Sequence, residues 1–492
     1  MRNTLSIIII LVSACCSAGF VSTNVPLDHW SYEALDQLTG RGLIDAAMLT
    51  TKPASRLEIA ADVAQALEKA RQRGEKNQVT LAILERLKEY FRPELVTMGL
   101  LEGKSVESFF KPVEDPYAKY VFADKETGIE NSRGDSFEDN SNYRLGFNSR
   151  IALSDSLAFY FHPEYLYSSS AGDADIRLIE GYGKLNLANI EIEAGRDSLW
   201  WGPAYHGSMI MTNNAEPFNM IKISNPRPKK LPWIFEGLGM FKAAWFLAEL
   251  EEDRTISHAK LTGLRLNLKP NPNFEFGLSR VIMFGGSGVP KVGVTDYIDM
   301  FRPQAEQAEN NQLAGFDVSL LLPLHEQAPV RSLRLYTEFA GEDEAGDLPS
   351  KWGKLFGAQF YDIMRTGRTD LRVEYADNHV SGHPNVFYTH SLYQSGYTYK
   401  DRIIGHHMGT DSRDLFIRLT HYLTKDLILG LEFDSEETNL SSNPHQSLDK
   451  YVCDLTLFTR KNWQLRTAYR HENAKNSDND NDIVSLYLMR QF

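Results

Sequence analysis

The stretch Leu415–Asp434 reads LFIRLTHYLTKDLILGLEFD, and its period decides the fold. Leu415, Ile417, Leu419 and Leu423 alternate with Phe416, Arg418, Thr420 and Tyr422. After a tight turn at Thr424-Lys425, Leu427, Leu429, Leu431 and Phe433 alternate with Ile428, Gly430, Glu432 and Asp434. A period of two sends successive side chains to opposite faces of an extended chain. Each strand therefore carries one mostly apolar face and one mostly polar face. The scheme recurs at Trp463, Leu465, Thr467 and Tyr469, at Leu333, Leu335 and Phe339, and at Leu371, Val373 and Tyr375.

A soluble sandwich also alternates, so period alone does not set the class. Three further features point to a barrel in lipid. The strands run to about ten to twelve residues, where soluble strands average about five or six. They pair through tight turns (Ser154-Asp155, Thr424-Lys425, Lys461-Asn462) that alternate with long polar connections. The final segment, Ile483–Phe492, alternates Val484, Leu486 and Leu488 and ends on an aromatic residue. Such an ending resembles the assembly signal of bacterial outer-membrane barrels, apart from Arg490, where an apolar residue is expected. Sixteen strands are clear, and two weaker ones fall at Tyr117–Phe122 and within Met209–Ile223. Eighteen strands at ~22 residues each fit the length after the helices, and about sixteen fit nearly as well. The expectation is an all-β transmembrane β-barrel of about 18 antiparallel strands over residues 101–492. Its long connections, Phe122–Asn142, Gly195–Glu236, Gly285–Gln312, Ala376–Asp414, Ser435–Lys450 and Glu472–Asp482, are expected on the outer side or folded into the mouth.

Residues 20–100 follow helical spacing instead. HWSYEALDQLTGRGLID (29–45) places Trp30, Tyr32, Leu35 and Leu38 on one face and stops at Gly40 or Gly42. SRLEIAADVAQALEKARQR (55–73) opens on Ser55 with Glu58 three residues on, a capping-box pattern. Gln78–Phe91 aligns Leu81, Leu84, Leu87 and Phe91 ahead of Pro93. A small helical bundle or plug is expected. Residues 1–19 read as a signal peptide, with Arg2, the apolar run Leu5–Val12 and small residues to Gly19. Val12-Ser13-Ala14-Cys15 also resembles a lipobox, the alternative fate of this leader. Beyond it only Cys453 remains, so no disulfide forms within the mature chain.

The chain of 492 residues is 42% hydrophobic, yet its mean hydropathy is −0.35. No run of about 18 apolar residues follows the leader, which excludes a helical membrane protein. A net charge of −13 argues against nucleic acid.

The segment Gly195–Pro226 concentrates Trp200-Trp201, a Gly202-Pro203 turn and Asn213-Asn214. Adjacent tryptophans on extended chain point to opposite faces, so one ring faces a lumen, cleft or interface. Either both rings wedge a strand-to-loop corner, or they form a platform for a flat ligand such as a sugar.

These residues resemble the capsule assembly protein Wzi family. The likeness lies in AGRDSLWWGPAYHGSMIMTNNAEPFNMIKISNP (194–226), LYQSGYTYKDRIIGHHMGTDS (392–412) and the helical run from Leu35 to Ala70. It implies an outer-membrane barrel of about 18 strands, closed on the periplasmic side by helices, acting as a lectin for capsular polysaccharide. Polysaccharide and outer-membrane lipid are then the expected partners, with capsule export machinery a further one. The run 29–45 followed by SRLEIA also resembles one S-layer homology motif, which would give Trp30 and Arg56 a wall-tethering role.

Sugars are held by stacked aromatic rings and by planar amide or guanidinium groups. The expected glycan-binding residues are Trp200, Trp201, Tyr205, Asn213 and Asn214 with Tyr393, Tyr397, Tyr399 and Arg402. The competing reading of the tyrosines, Tyr388 included, is an interfacial aromatic girdle, and of the asparagines a turn. His379, His383, His390, His406 and His407 share one loop at irregular spacing, which reads as a solvated, mildly pH-sensitive loop rather than a metal site. The acidic runs Glu130–Asn140 and Asn476–Asp482 lack a calcium-loop pattern, and Arg133-Gly134-Asp135 reads as accidental. No cofactor is expected. Glu338 and Glu374 would meet inside a lumen as a glycosidase pair does, but polar lumens carry such carboxylates without catalysis, so an enzyme is not expected. The competing function is a porin, in which inward charges set ion selectivity.

Overall fold

The computed structural model describes residues 21–104, 108–187, 190–231, 233–301, 310–345, 348–442, 444–475 and 479–491. The expected signal peptide, Cys15 and the terminal Phe492 lie outside the described residues.

Four helices come first: α1 Ser31–Gly40, α2 Arg56–Arg73, α3 Gln78–Tyr90 and α4 Arg92–Thr97. The strands that follow are β1 Phe109–Ala123, β2 Asn140–Leu153, β3 Leu157–Ser168, β4 Ala174–Leu187, β5 Ile190–Asp197 and β6 Phe218–Ser224. Next come β7 Met240–Glu249, β8 Lys260–Asn271, β9 Phe274–Phe284, β10 Asn310–Pro323, β11 Val330–Ala345 and β12 Leu348–Ile363. The last are β13 Thr369–Asp377, β14 Arg413–Tyr422, β15 Leu427–Thr438, β16 Gln446–Phe458, β17 Trp463–Ala474 and β18 Asn481–Arg490. Each pairs antiparallel with the next, and β18 returns to β1 in the register Tyr117↔Met489 to Ala123↔Ile483. The result is a closed barrel of 18 strands. Closure leaves no unpaired edge, which a lipid environment requires.

Both weaker strands are present, as β1 and β6. The second corrects one expectation: β6 divides the connection Gly195–Glu236 into a long loop at one end (198–217) and a separate crossing at the other (225–239). The period of two holds on the wall. Leu264, Leu278, Phe356, Leu415, Leu431 and Leu486 are exposed on the outside, whereas Arg265, Asp317, Lys184 and Glu338 are buried inside. An apolar exterior around a polar interior is the pattern of a transmembrane barrel.

The helices close the end with the short turns. Ser55 caps α2 by accepting from the Glu58 amide at 3.1 Å, but the box is only half made. The Glu58 carboxylate faces the wall and binds Lys242 at 2.8 Å. Pro93 does not end the helical region; it sits in the first turn of α4, where a missing N–H costs nothing. Leu81 points outward, and Val79, Ile83, Leu84 and Leu87 form the buried face of α3 instead. The bundle has its own apolar core, with Leu35, Leu38, Ile59, Val63 and Leu87 essentially inaccessible. Tyr422 and Ile428 of the wall pack on that core, and the rest of its attachment is polar. Asp36 is bound by Arg334 and, at 3.1 Å, by Arg372, and Tyr361 donates to it at 3.0 Å. The Arg41 guanidinium donates to the Gly367 carbonyl at 3.0 Å. Gly40 ends α1 flat against the Tyr361 ring, where an added Cβ would lie 2.3 Å from a ring carbon.

Candidate functional site

The other end, with the long loops, is filled by chain that turns inward. Loop 198–217 leaves β5 and descends the lumen until Trp200-Trp201 pairs antiparallel with Thr51-Lys52 of the helical region, in the register Thr51↔Trp201 and Lys52↔Trp200. The Gly202 amide continues the ribbon, donating to the Thr50 carbonyl at 2.8 Å. From the wall, Arg265 donates to the Thr51 hydroxyl at 3.0 Å and the Thr50 carbonyl at 3.1 Å. The tandem tryptophans are thus where the plug from one end meets the loop from the other.

The two rings divide as adjacent extended residues must. Trp201 enters an apolar cluster with Phe246, Met209, Phe218 and Leu261, and stands edge-on to Phe246 with ring centroids 5.5 Å apart. Trp200 faces a cavity of about 440 Å³ between plug and loop, lined also by Trp30, Tyr205, Asn213, Arg372 and Arg418. The Lys52 ammonium lies 5.3 Å from the Trp200 ring centre. Burial, seconded by the Arg372 guanidinium, brings the Lys52 pKa down to about 8.

Wall carboxylates hold the loop by its backbone. Glu374 accepts from the amides of Tyr205 at 2.8 Å and His206 at 2.9 Å. Glu338 accepts from the Met209 amide at 2.8 Å and the Ser208 hydroxyl at 2.9 Å. The pair that resembled a hydrolytic couple is therefore occupied in pinning chain. Gly202 is required at this point: its φ is +145°, and an added Cβ would sit 2.1 Å from the Glu338 carboxylate.

Loop 378–412 covers the inward loop. Tyr397 donates to the Ile210 carbonyl at 2.9 Å, Tyr388 to the Met209 carbonyl at 2.5 Å and Tyr393 to the Gly285 carbonyl at 3.1 Å. Tyr399 packs on Phe218 at 5.1 Å. All four tyrosines are buried, which places them in neither an interfacial girdle nor an open sugar platform. Asn214 donates to the Ile403 carbonyl at 3.0 Å, joining the two loops. Arg402, half-buried, lies over Gly128 of loop 124–139. That third loop is tied down by Arg133, which binds Asp28 of the helical region at 2.5 Å and Glu180 of the wall at 3.4 Å. Its amide donates to the Asn213 carbonyl at 2.7 Å.

Of the expected glycan residues, then, Trp200, Tyr205 and Asn213 line one cavity. Trp201, Tyr393, Tyr397 and Tyr399 pack the mouth, and Asn214 and Arg402 join loops. Arg56, expected as a tether, is buried in a bridge to Glu94 at 2.5 Å, and Glu94 also meets Arg150 at 3.2 Å. Trp30 packs edge-on against Phe458 of the wall at 5.6 Å.

The histidine loop departs most from its reading. His383 is exposed, but His406 and His407 are buried against the wall, because the loop folds inward instead of into solvent. They meet His206, whose ring stacks flat on Phe416 with centroids 4.0 Å apart. Burial and the neighbouring His407 hold the His406 pKa well below the ordinary range. Burial opposes charge on His206 too, but Asp434 and Asp414 outweigh it and raise its pKa. Sequence spacing did not reveal this group, because His206 lies some two hundred positions before its partners.

A family model, capsule assembly protein Wzi, matches residues 114–484, most of the chain. Escherichia coli Wzi is an outer-membrane protein involved in group 1 capsule assembly and a carbohydrate-binding β-barrel. Its structure superposes with a TM-score of 0.74 at 21% identity, covering 96% of this chain and 99% of that one. A 55.8 kDa protein in the cps region of Klebsiella pneumoniae is 30% identical over 176 residues. That match spans about a third of each chain, 34% of both. OprD of Pseudomonas aeruginosa superposes at a TM-score of 0.46 with 11% identity, over 79% of this chain and 98% of that one. The match along nearly the whole barrel assigns the chain: it belongs to the capsule assembly protein Wzi family.

Proposed function

We propose that this chain is an outer-membrane lectin that holds a capsular or related surface polysaccharide and helps attach it at the cell surface. Its helical plug lies on the periplasmic side, by the rule that short turns face inward and long loops outward. The observation that carries the reading is family membership on a barrel stoppered at both ends. A lumen crossed by both plug and loop suits holding at a surface better than passage through a pore. The polysaccharide meets the outer crest of loops 124–139 and 378–412, with Arg402 at their junction. In this reading Glu338 and Glu374 serve to hold the inward loop, whose amides they accept from. Outer-membrane lipid surrounds the apolar belt, and capsule export machinery is a further partner.

The test is binding of the purified protein to a panel of capsular polysaccharides and exopolysaccharides, with planar-bilayer recordings beside it. Saturable binding to at least one acidic or neutral capsule, with little conductance, is expected. An open channel that binds none of the panel would replace this reading with a porin.

A further inference from the structure

Two loops and two neighbouring strands bring imidazoles and carboxylates to one buried point at the mouth. His206 comes from loop 198–217, His407 from loop 378–412, Asp414 from the start of β14, and Asp434 and Glu436 from β15. Asp414 and Glu436 are cross-strand partners, and Asp434 lies two residues from Glu436, so the period of two sends all three carboxylates inward. His206 Nε2 stands 3.2 Å from the Asp434 carboxylate and 3.7 Å from that of Asp414. His407 Nε2 stands 3.3 Å from Asp414 and 3.0 Å from Glu436.

Two observations say that this group is not complete in itself. The side chains of Asp414 and His407 are only 2% and 3% exposed. Yet neither Asp414 oxygen, neither ring nitrogen of His407 and neither Asp434 oxygen makes an aligned hydrogen bond among the described residues, although charged neighbours stand 3.0–3.3 Å away. Buried polar atoms left this way are costly, and several around one point indicate a missing common partner. The charge balance agrees. Lys450 and Arg470 are the fixed positive charges paired here among the described residues. Lys450 is shared among Glu130 at 2.5 Å, Glu436 at 2.5 Å and Asp434 at 3.1 Å. Arg470 is spent on Glu130 at 2.7 Å and Glu472 at 2.6 Å.

The spacing fits a particular occupant. Ligands about 2.0–2.1 Å from a tetrahedral cation lie about 3.3 Å from one another, which is close to the separations found here. We propose that His206, His407 and the carboxylates of Asp434 and Glu436 bind a divalent transition cation of the Zn²⁺ type, with Asp414 beside it. His406 is not a ligand. Its Nδ1 accepts from the Met408 amide at 3.4 Å, which leaves the proton on Nε2 toward Asp414. The cation staples two loops of separate origin to the wall and so locks the seal of the mouth.

The experiment uses the full-length protein in detergent, stripped with EDTA and titrated with Zn²⁺ by calorimetry and with Co²⁺ by visible absorption. Binding of about one equivalent, with a Co²⁺ band of the tetrahedral type, is expected. His206→Gln and His407→Gln each lower affinity by about tenfold or more, in the range found for loss of metal-supporting groups. His383→Gln, in the same loop but exposed, binds as the unaltered chain does. Asp434→Asn serves as the ligand variant if a histidine variant does not assemble, as judged by the heat-dependent mobility of the folded barrel. Zn²⁺ is also expected to slow tryptic cleavage at Lys400 and Arg402. Absence of saturable binding, equal binding by all the variants, or binding that leaves cleavage unchanged would each overturn the proposal.

Discussion

The two ends of this barrel are both closed, but by different physics. At the short-turn end, the helices carry an apolar core that only a few wall side chains, Tyr422 and Ile428, join, and they meet the wall largely through charge: Asp36 with Arg334 and Arg372, Glu58 with Lys242, Arg41 with a wall carbonyl. At the long-loop end there is no separate core. Met209, Ile210 and Met211 share one apolar cluster with Phe246, Leu261 and Leu355 of the wall, and wall carboxylates grip backbone amides. A plug with most of its core inside itself depends less on the wall around it. An inward loop cannot fold without the barrel around it. The Trp200–Trp201 ribbon with Thr51–Lys52 is, among the described residues, the strand pairing between the two closures, so each end supports the other.

The comparison breaks most sharply at the mouth pins. Glu338→Ala with Glu374→Ala leaves several buried donors without acceptors, at about 1–3 kcal/mol each. The loop should release, and planar-bilayer conductance should rise well above that of the unaltered chain while the plug still resists protease. An unchanged closed barrel would show that the plug alone stops the pore.

Next in size is Trp201→Ala, which empties a large buried site and should cost about 3–5 kcal/mol in the urea unfolding midpoint. Trp200→Ala should cost clearly less, because that ring faces the cavity. Equal losses would remove the distinction between packed ring and cavity ring.

At the plug, Asp36→Asn leaves two buried guanidiniums short of a partner and should cost about 3–5 kcal/mol of docking, read as faster proteolysis of the helices. The pH dependence follows from the same residue. Burial pushes the Asp36 carboxyl up, but Arg334 and Arg372 outweigh it and hold its pKa below the ordinary value. Its contribution is therefore present above the usual carboxylate range and lost as pH falls through the lowered folded value. Asp62, in contrast, is raised to about 8 by burial and by Glu58. Its protonated form suits the fold, so stability is greatest below the ordinary carboxylate pKa and declines as pH rises toward 8. Asp62→Asn should flatten that decline and stabilise the plug at alkaline pH.

The smallest effect is expected from Ser55→Ala, which removes the cap on the Glu58 amide. About 1 kcal/mol of plug stability should be lost, with no change in conductance. A change in conductance would mean that α2 gates the lumen.

Much of this architecture was legible from short-range pattern. Ser55 and the spacing of Ile59 and Val63 located α2, because a helix is set by neighbours three and four residues apart. The alternation in 415–434 located β14 and β15 and their turn, because a strand's two faces follow from its period. The capping box misled in part. Glu58 stands at the position the local rule asks for, but its carboxylate is taken by Lys242 of the wall.

The loops show the other limit. Trp200-Trp201 announced that one ring must find a lumen or cleft, and Asn213-Asn214 announced a turn. Neither indicated that the chain would run down inside the barrel to Thr51. That course depends on Glu338 and Glu374, which lie on strands far along the chain and are visible only once the wall is closed. The burial of Tyr393, Tyr397 and Tyr399 has the same cause: they cover a loop whose position the wall had already determined. His206 joins His407 for no reason of spacing, since two loops entering one mouth have nowhere else to go. The sequence by itself determined the helices, the alternating strands and the membrane class, all of which follow from interactions within a few residues. Tertiary structure decided the seal, the division of the two tryptophans and the buried histidine–carboxylate group, because those depend on which distant strands the closed barrel brings to face one another.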